Sequence, residues 1–320
     1  MPKFLSKLLK TTIPLGIGLF FIYYSYANTT ADQRILIWKY IRQANLNFVG
    51  LSVLFGVLSH LSRAYRWGFL LQPLGYRPRF LNLVLTVLIT YVSNLGIPRS
   101  GEVLRSTALR AYEKIPFEKS FGTVVMERVV DLLLLLMCIG IGFLLEREMV
   151  LSFFEGTADK SNKIWVVGVL ILLGLLFFYW TRQTRHPWGQ KIRNFSQGLL
   201  SGITSIRNMP NAVWFWIHTF FIWVMYLLMF WVIQFALPGA ASLSLSALFP
   251  AFIAGGLAMS ATNGGIGLYP IAVAAVLSHY GLPYELALAY GWIMWTAQTV
   301  MVVFFGGISF FLLPIVNRNK

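Results

Sequence analysis

The sequence predicts an all-α integral membrane protein with about six transmembrane helices and two re-entrant, broken-helix hairpins that form an inverted repeat. Composition is one reason. Of 320 residues, 57% are hydrophobic and only 12% are charged, with a mean hydropathy of +0.68, whereas a soluble domain carries roughly 25% charged residues. Length is another: several apolar stretches reach the ~20 residues that span a bilayer. The most informative observation is that two apolar segments are interrupted in matching places. One break reads Asn94-Leu95-Gly96-Ile97-Pro98 and the other Asn263-Gly264-Gly265-Ile266-Gly267. Ile115-Pro116-Phe117-Glu118 follows the first, and Leu282-Pro283-Tyr284-Glu285 follows the second, at nearly the same interval. Paired Gly/Pro interruptions in the two halves of a polytopic chain point to a midplane transport site.

From the N-terminus, residues 1–10 carry Lys3, Lys7 and Lys10 and look like the start of a signal sequence. The apolar run from Ile13 to Ala27 has no convincing small-residue cleavage site, so it reads as a retained first span over 11–27. Segment 29–44 is amphipathic and basic and suits the interface, as does 187–208. Further spans are expected over 46–68, 117–145, 163–181, 211–237 and 284–314. Segments 80–97 and 243–262 run into the breaks, and 99–113 and 267–280 leave them. The half-repeats are then about 46–145 and 211–314, inside one polytopic membrane domain over 1–320 with no soluble catalytic domain. Cys138, the single cysteine, lies in an apolar run without disulfide or metal-ligand spacing and reads as lipid- or core-facing.

The formal net charge is +15. In a soluble protein that would suggest nucleic acid, which is not expected here. In a membrane protein it reads as the positive-inside bias and attraction to anionic head groups. With both broken segments re-entrant and the N-terminus cytoplasmic, most of the 26 Lys and Arg residues fall inside. Arg34, Lys39, Arg42, Arg147, Lys160 and Lys163 fall outside, and Arg128 lies within a span. If both segments crossed instead, the basic 182–210 loop would move outside, against the rule. The expectation is therefore a multi-pass protein of the inner (plasma) membrane with both termini cytoplasmic. One hairpin then enters from the cytoplasm and the other from outside.

Four groups of residues can carry chemistry. Glu127-Arg128-x-x-Asp131 stands inside an otherwise apolar helix, where ionisable groups are functional candidates by default. Arg128 and Asp131 are spaced to pair, and the group reads as charge-balancing or gating, against a structural ion pair. After the first break comes Arg99-Ser100-Gly101-Glu102-x-x-Arg105. A helix starting near Arg99 or Ser100 would offer N–H groups and a positive dipole end to an anion. The forked guanidinium groups of Arg99 and Arg105 match a phosphate, with Glu102 as an internal partner. The alternative is a cytoplasmic loop whose arginines only set topology. Arg63 and Arg66 share a helix face in His60-Leu61-Ser62-Arg63-Ala64-Tyr65-Arg66-Trp67. They read either as an interfacial anchor with Trp67 in the aromatic belt, or as arginines reaching the hairpin acids or a lipid phosphate. In the second break, Asn263 reads as satisfying unwound backbone or binding a polar head group.

Candidate head-group contacts are thus Arg66, Arg99, Arg105, Asn94 and Asn263, with Gly96, Gly101, Gly264, Gly265 and Gly267 shaping the hairpins. Motifs of soluble enzymes are missing: there is no P-loop, GxGxxG, GxSxG or HExxH. The histidines have no metal spacing, and no catalytic residue, metal or cofactor is expected.

Taken in order, Arg63-x-x-Arg66-Trp67, Gly96-Ile97-Pro98-x-x-Gly101-Glu102-x-x-Arg105, Glu127-Arg128-x-x-Asp131 and Asn263-Gly264-Gly265-Ile266-Gly267 resemble the membrane domain of lysylphosphatidylglycerol synthases and their stand-alone, flippase-like relatives. The resemblance covers roughly 10–315. Family members usually carry an acidic residue after the second break, where this chain has Leu268-Tyr269-Pro270. The resemblance implies movement of an anionic phospholipid or polyprenyl-phosphate-linked lipid between leaflets. It also implies that a chain ending at Lys320 lacks the soluble aminoacyl-transferase part. Two other readings stay open: an accessory subunit, with a separately encoded soluble transferase or a second copy as partner, and a membrane-embedded enzyme acting on lipid phosphates.

Overall fold

The computed structural model describes residues 3–145 and 209–318, and among these every regular element is helical. The first stretch holds α1 (Lys3–Ala27), α2 (Ala31–Gln43), α3 (Leu46–Leu71), α4 (Phe80–Gly96), α5 (Ser100–Glu113) and α6 (Phe117–Leu145). The second holds α7 (Ala212–Trp231), α8 (Leu245–Ala261), α9 (Leu268–His279) and α10 (Tyr284–Val316). The expected segments 163–181 and 187–208 lie outside the described residues. Three helices among the described residues are long and apolar enough to cross a membrane: Leu46–Leu74, Ala212–Ala236 and Tyr284–Val316. Leu15–Ala27, Phe80–Gly96, Leu245–Ala261 and Leu268–His279 are shorter apolar helices. The chain is a multi-pass membrane protein.

Local chemistry sets the boundaries. Thr30 and Gln33 form a reciprocal capping box at the start of α2. Asn45 caps α3 through Asn47 N–H, and Ser244 caps α8 through Ala247 N–H. α1 begins at Lys3, well before the apolar stretch that predicts it. Pro283 and Glu285 open α10, where a carboxylate favours the helix dipole. Gln33 of α2 donates to Glu285 at 2.8 Å, so that acid serves to join two helices.

The chain divides into two compact units, Met1–Glu127 with Asn211–Lys320, and Arg128–Pro210. Along the described chain, the element order long helix, broken pair, long helix occurs twice: α3, α4–α5, α6 and then α7, α8–α9, α10. Each broken pair folds back on itself. In the first pair, Asn82 near the start of α4 bonds Glu113 at the end of α5, and Thr90 packs on Gly101. In the second, Gly255 of α8 packs on the ring of Tyr269 in α9.

α10 is the spine between the pairs. A Cβ at its Gly306 would lie 2.6 Å from Val92 of α4, and one at Gly291 would lie 2.6 Å from Pro270 of α9. The main apolar core gathers Leu286, Tyr290, Met294 and Met301 of α10 with Phe230, Leu248, Val273 and Leu277. The second unit is represented among the described residues by α6 from Arg128 onward and by 209–210. Cys138 is half-buried there.

Candidate functional site

The first break is a sharp turn between α4 and α5. Ile97 caps α4, Pro98 follows, and Arg99 takes a left-handed conformation at φ 62° as the N-cap of α5. For a non-glycine residue this conformation is uncommon and costs of order 1 kcal/mol. Gly101 is required by space: an added Cβ would meet the Thr90 carbonyl oxygen at 2.1 Å. Gly96 has no such neighbour and no positive φ, so nothing in the geometry demands glycine there.

At the expected helix N-terminus, one N–H group is met from within the turn. Asn94 Oδ1 accepts the Gly101 N–H at 2.8 Å, and its Nδ2 donates to Glu102 at 3.4 Å. Asn94 therefore meets the Gly101 N–H, one of the amide groups that a helix start leaves without an intrahelical partner.

The second break holds three residues with positive φ: Gly264, Gly265 and Gly267. An L side chain would be strained at each. The sequence reads Asn263 as satisfying the unwound backbone or binding a head group, and among the described residues its Nδ2 bonds no backbone of the break. Trp295 Nε1 of α10 donates to the Gly264 carbonyl at 2.7 Å instead. The two breaks touch: a Cβ at Gly264 would lie 2.4 Å from Leu95 Cδ2. α1 closes over the second break, with Gly18 against Ile266 and Gly267.

Where the breaks meet, a cavity of about 240 Å³ is lined by Tyr91, Asn94, Arg99, Ser260, Thr262 and Asn263, with Gln298 and Thr299 from α10. No Asp or Glu is among its lining residues. Asn263 is 4% exposed, and its Nδ2 has no hydrogen-bond partner among the described residues.

A second centre forms around Glu127, near the start of α6. Its carboxylate lies 2.7 Å from Arg63 and 3.4 Å from Arg66, both on α3, and 3.1 Å from Arg105 on α5. Glu127, Arg66 and Arg105 are 0% exposed. The Arg105 guanidinium sits 3.5 Å from the centre of the Trp67 ring, a cation–π contact worth about 2 kcal/mol when desolvated. Trp67 is fully buried and donates to Thr123 at 2.9 Å, so its expected place in an aromatic belt is corrected. Arg66 also donates to Thr219 of α7 at 3.2 Å.

The two centres are joined by side chains. Arg63 Nη2 donates to Tyr226 OH at 3.2 Å, and Tyr226 OH lies 3.4 Å from Tyr91 OH, on the cavity wall. His60 packs its ring on Tyr91 at 4.2 Å. Arg128 and Asp131 form their own pair at 3.9 Å in the second unit.

The candidate head-group residues thus separate. Arg99, Asn94 and Asn263 line the cavity, whereas Arg66 and Arg105 belong to the Glu127 cluster. Sequence reasoning missed Tyr226, Thr219, Gln298 and Thr299. Gln298 and Thr299 had a signal: with Thr296 they are a polar group within the apolar α10.

The profile of the lysylphosphatidylglycerol synthase TM region matches residues 12–307. A UPF0104 membrane protein of Methanocaldococcus jannaschii is 30% identical over 172 residues, covering 53% of this chain and 48% of that protein. A protein named glycosyltransferase AglD from Haloferax volcanii is 35% identical over 78 residues, covering 24% of this chain and 12% of that protein. The chain therefore matches about half of one relative and a small part of the other. No solved structure matches it.

Proposed function

The chain belongs to the family of the lysylphosphatidylglycerol synthase transmembrane region, and on that premise we propose that it moves an anionic phospholipid or polyprenyl-phosphate-linked lipid between membrane leaflets. The observation that carries this reading is the meeting of the two helix breaks around a cavity of mixed polar and apolar lining that bears Arg99. Irregular backbone at membrane depth is tolerated where it lines a wet cavity, and in transporters such breaks bind the cargo. In this reading the spans number about six and the broken pairs are re-entrant hairpins of an inverted repeat. The protein is one polytopic domain of the inner membrane, with both termini cytoplasmic. Arg99, Asn94 and Asn263 contact the head group. The cluster of Glu127 with Arg63, Arg66 and Arg105 balances charge and holds α3, α5 and α6 together. Its partners are membrane lipids, with a soluble transferase or a second copy as further candidates.

The test is lipid movement in proteoliposomes with anionic and zwitterionic reporter lipids, for wild type and Arg99→Gly. Glycine suits φ 62° and removes the whole side chain, guanidinium included, without straining the turn. Faster movement of the anionic reporter by wild type, falling about tenfold in the variant, is expected for loss of one charge-assisted contact. No movement of any lipid by wild type would refute the reading.

A further inference from the structure

The cavity between the breaks lies against one face of α10, and a larger groove of about 790 Å³ lies against another. Its α10 wall includes Leu288, Trp292, Thr296, Val300 and Phe304, which are spaced i, i+4 and so share one face. Trp295, Gln298 and Thr299, which serve the breaks, stand on a different face. α1, α2 and the start of α3 form the other walls, with Ile22, Ile37, Ile41, Val49 and Val53. The groove is half-open, and Trp38, Val300 and Phe304 are exposed along it. Its polar side chains gather at one end, where α1 gives way to α2: Ser25, Tyr26, Thr29 and Arg34. Beyond that end, Thr296 is the one hydroxyl in a wall of aliphatic and aromatic groups. The same end lies at the start of α10, because Gln33 bonds Glu285 there.

We propose that this groove docks a polyprenyl phosphate, with the phosphate on Arg34 and the isoprenoid chain laid along α10 as far as Phe304. Charge and length carry the assignment. Arg34 is the charged lining group, and no Asp or Glu lines the groove. Its guanidinium is held in place: Nη1 donates to the Tyr26 carbonyl at 3.1 Å, and the group lies 4.1 Å from the centre of the Tyr26 ring. The fork keeps further N–H groups that match a phosphate. From Leu288 to Phe304, α10 rises about 24 Å at 1.5 Å per residue. The hydrocarbon core is about 30 Å thick, so a chain of one leaflet reaches about 15 Å. The groove continues past that depth, and past Trp295, whose bond to Gly264 marks the level of the breaks. Between a lipid chain and an apolar groove, selection comes from van der Waals contact, since the bilayer is equally apolar. A phospholipid acyl chain anchored at Arg34 leaves the far end at Met301 and Phe304 without such contact, and a longer isoprenoid chain fills it. The proposal goes beyond the lipid-movement reading: the groove shares no lining residue with the cavity between the breaks.

The test reads binding, so its outcome stands whether or not any lipid moves. The full chain in detergent is titrated with each probe, and its unfolding temperature is followed. The probes are a long polyprenyl phosphate, farnesyl phosphate, the long polyprenol without phosphate, phosphatidic acid and inorganic phosphate. The expected result is the largest rise with the long polyprenyl phosphate. No rise with it overturns the proposal, as does an equal rise with phosphatidic acid or with the polyprenol. An equal rise with farnesyl phosphate overturns the argument from length, and an equal rise with inorganic phosphate overturns the assignment to a lipid. Arg34→Gln weakens binding of the long polyprenyl phosphate about tenfold, the loss of one charge-assisted contact, and leaves the polyprenol unchanged. Val300→Trp adds bulk at an exposed position within the groove, so the fold is kept while the far end is closed. The long chain then binds no better than farnesyl phosphate, whose own binding is unchanged. Unchanged binding of the long polyprenyl phosphate in Arg34→Gln overturns the phosphate contact, and in Val300→Trp it overturns the path of the chain.

Discussion

At the scale of single residues, Glu127 is the most exacting position in the described chain. One buried carboxylate faces three guanidinium groups at 2.7, 3.1 and 3.4 Å. Removing one partner from such a buried group is far more damaging than replacing the whole set, because the remaining charges stay desolvated. Glu127→Gln keeps the shape and removes the charge, and it lowers stability by about 3–5 kcal/mol. Asp131→Asn removes a carboxylate from a looser pair, where Arg128 is 39% exposed and the separation is 3.9 Å. That change costs less than Glu127→Gln, because the Arg128 it leaves behind reaches solvent. Denaturant titration of both variants in the same detergent makes the comparison. Equal losses at the two positions would strip Glu127 of its central role.

At the scale of elements, the helical hairpins depend on close approach more than on apolar area. Gly101 lets α5 lie against the backbone of Thr90 in α4, with the hydroxyl of Thr90 reaching the Gly101 carbonyl at 3.3 Å. Gly101→Ala forces backbone apart and costs at least about 2 kcal/mol, in the range of overpacked cores. Gly122→Ala in α6, where an added Cβ meets nothing, is neutral or stabilising by about 0.5–1 kcal/mol. Thermal unfolding of the two alanine variants checks the contrast, and a neutral Gly101→Ala would mean that the pair is not tightly packed. These breaks were legible in the sequence because Gly, Pro and Asn act locally: Pro98 lacks an N–H, and glycine alone is at ease at the φ of 62° found for Gly264. The i,i+3 pairing of Arg128 with Asp131 was legible for the same reason. The partners of Glu127 were not. Arg105 lies 22 residues away and Arg63 lies 64 away, and only packing of α3, α5 and α6 selects them. Trp67 was misread because a tryptophan near a helix end is equally suited to an interface or to a cation–π contact. Trp295 gave no local sign that it would serve the backbone of Gly264.

At the scale of the whole molecule, the open question is how the broken pairs lie in the bilayer. A chain of side chains, Tyr91, Tyr226, Arg63 and Glu127, ties the meeting point of the two pairs to the charge cluster. That meeting point therefore sits deep among the helices, and the half-helices must reach it from their own sides. α5 has 14 residues and α9 has 12, which rise about 21 and 18 Å at 1.5 Å each. The hydrocarbon core is about 30 Å thick, so neither crosses it alone. The first pair also brings its outer ends together, through Asn82 and Glu113. Both ends of one pair should then face one side of the membrane, and both ends of the other pair the opposite side. Single cysteines at Arg79, Lys114, Ser242 and Tyr284, introduced into a Cys138→Ser background, report this through a membrane-impermeant maleimide on intact cells. The expected outcome is labelling at Ser242 and Tyr284, with Arg79 and Lys114 labelled only after the membrane is opened. Labelling of Arg79 without Lys114, or of Ser242 without Tyr284, would mean that a broken pair crosses the bilayer. The two halves would then not be inverted copies, and the positive-inside argument that sets the topology would fail with them.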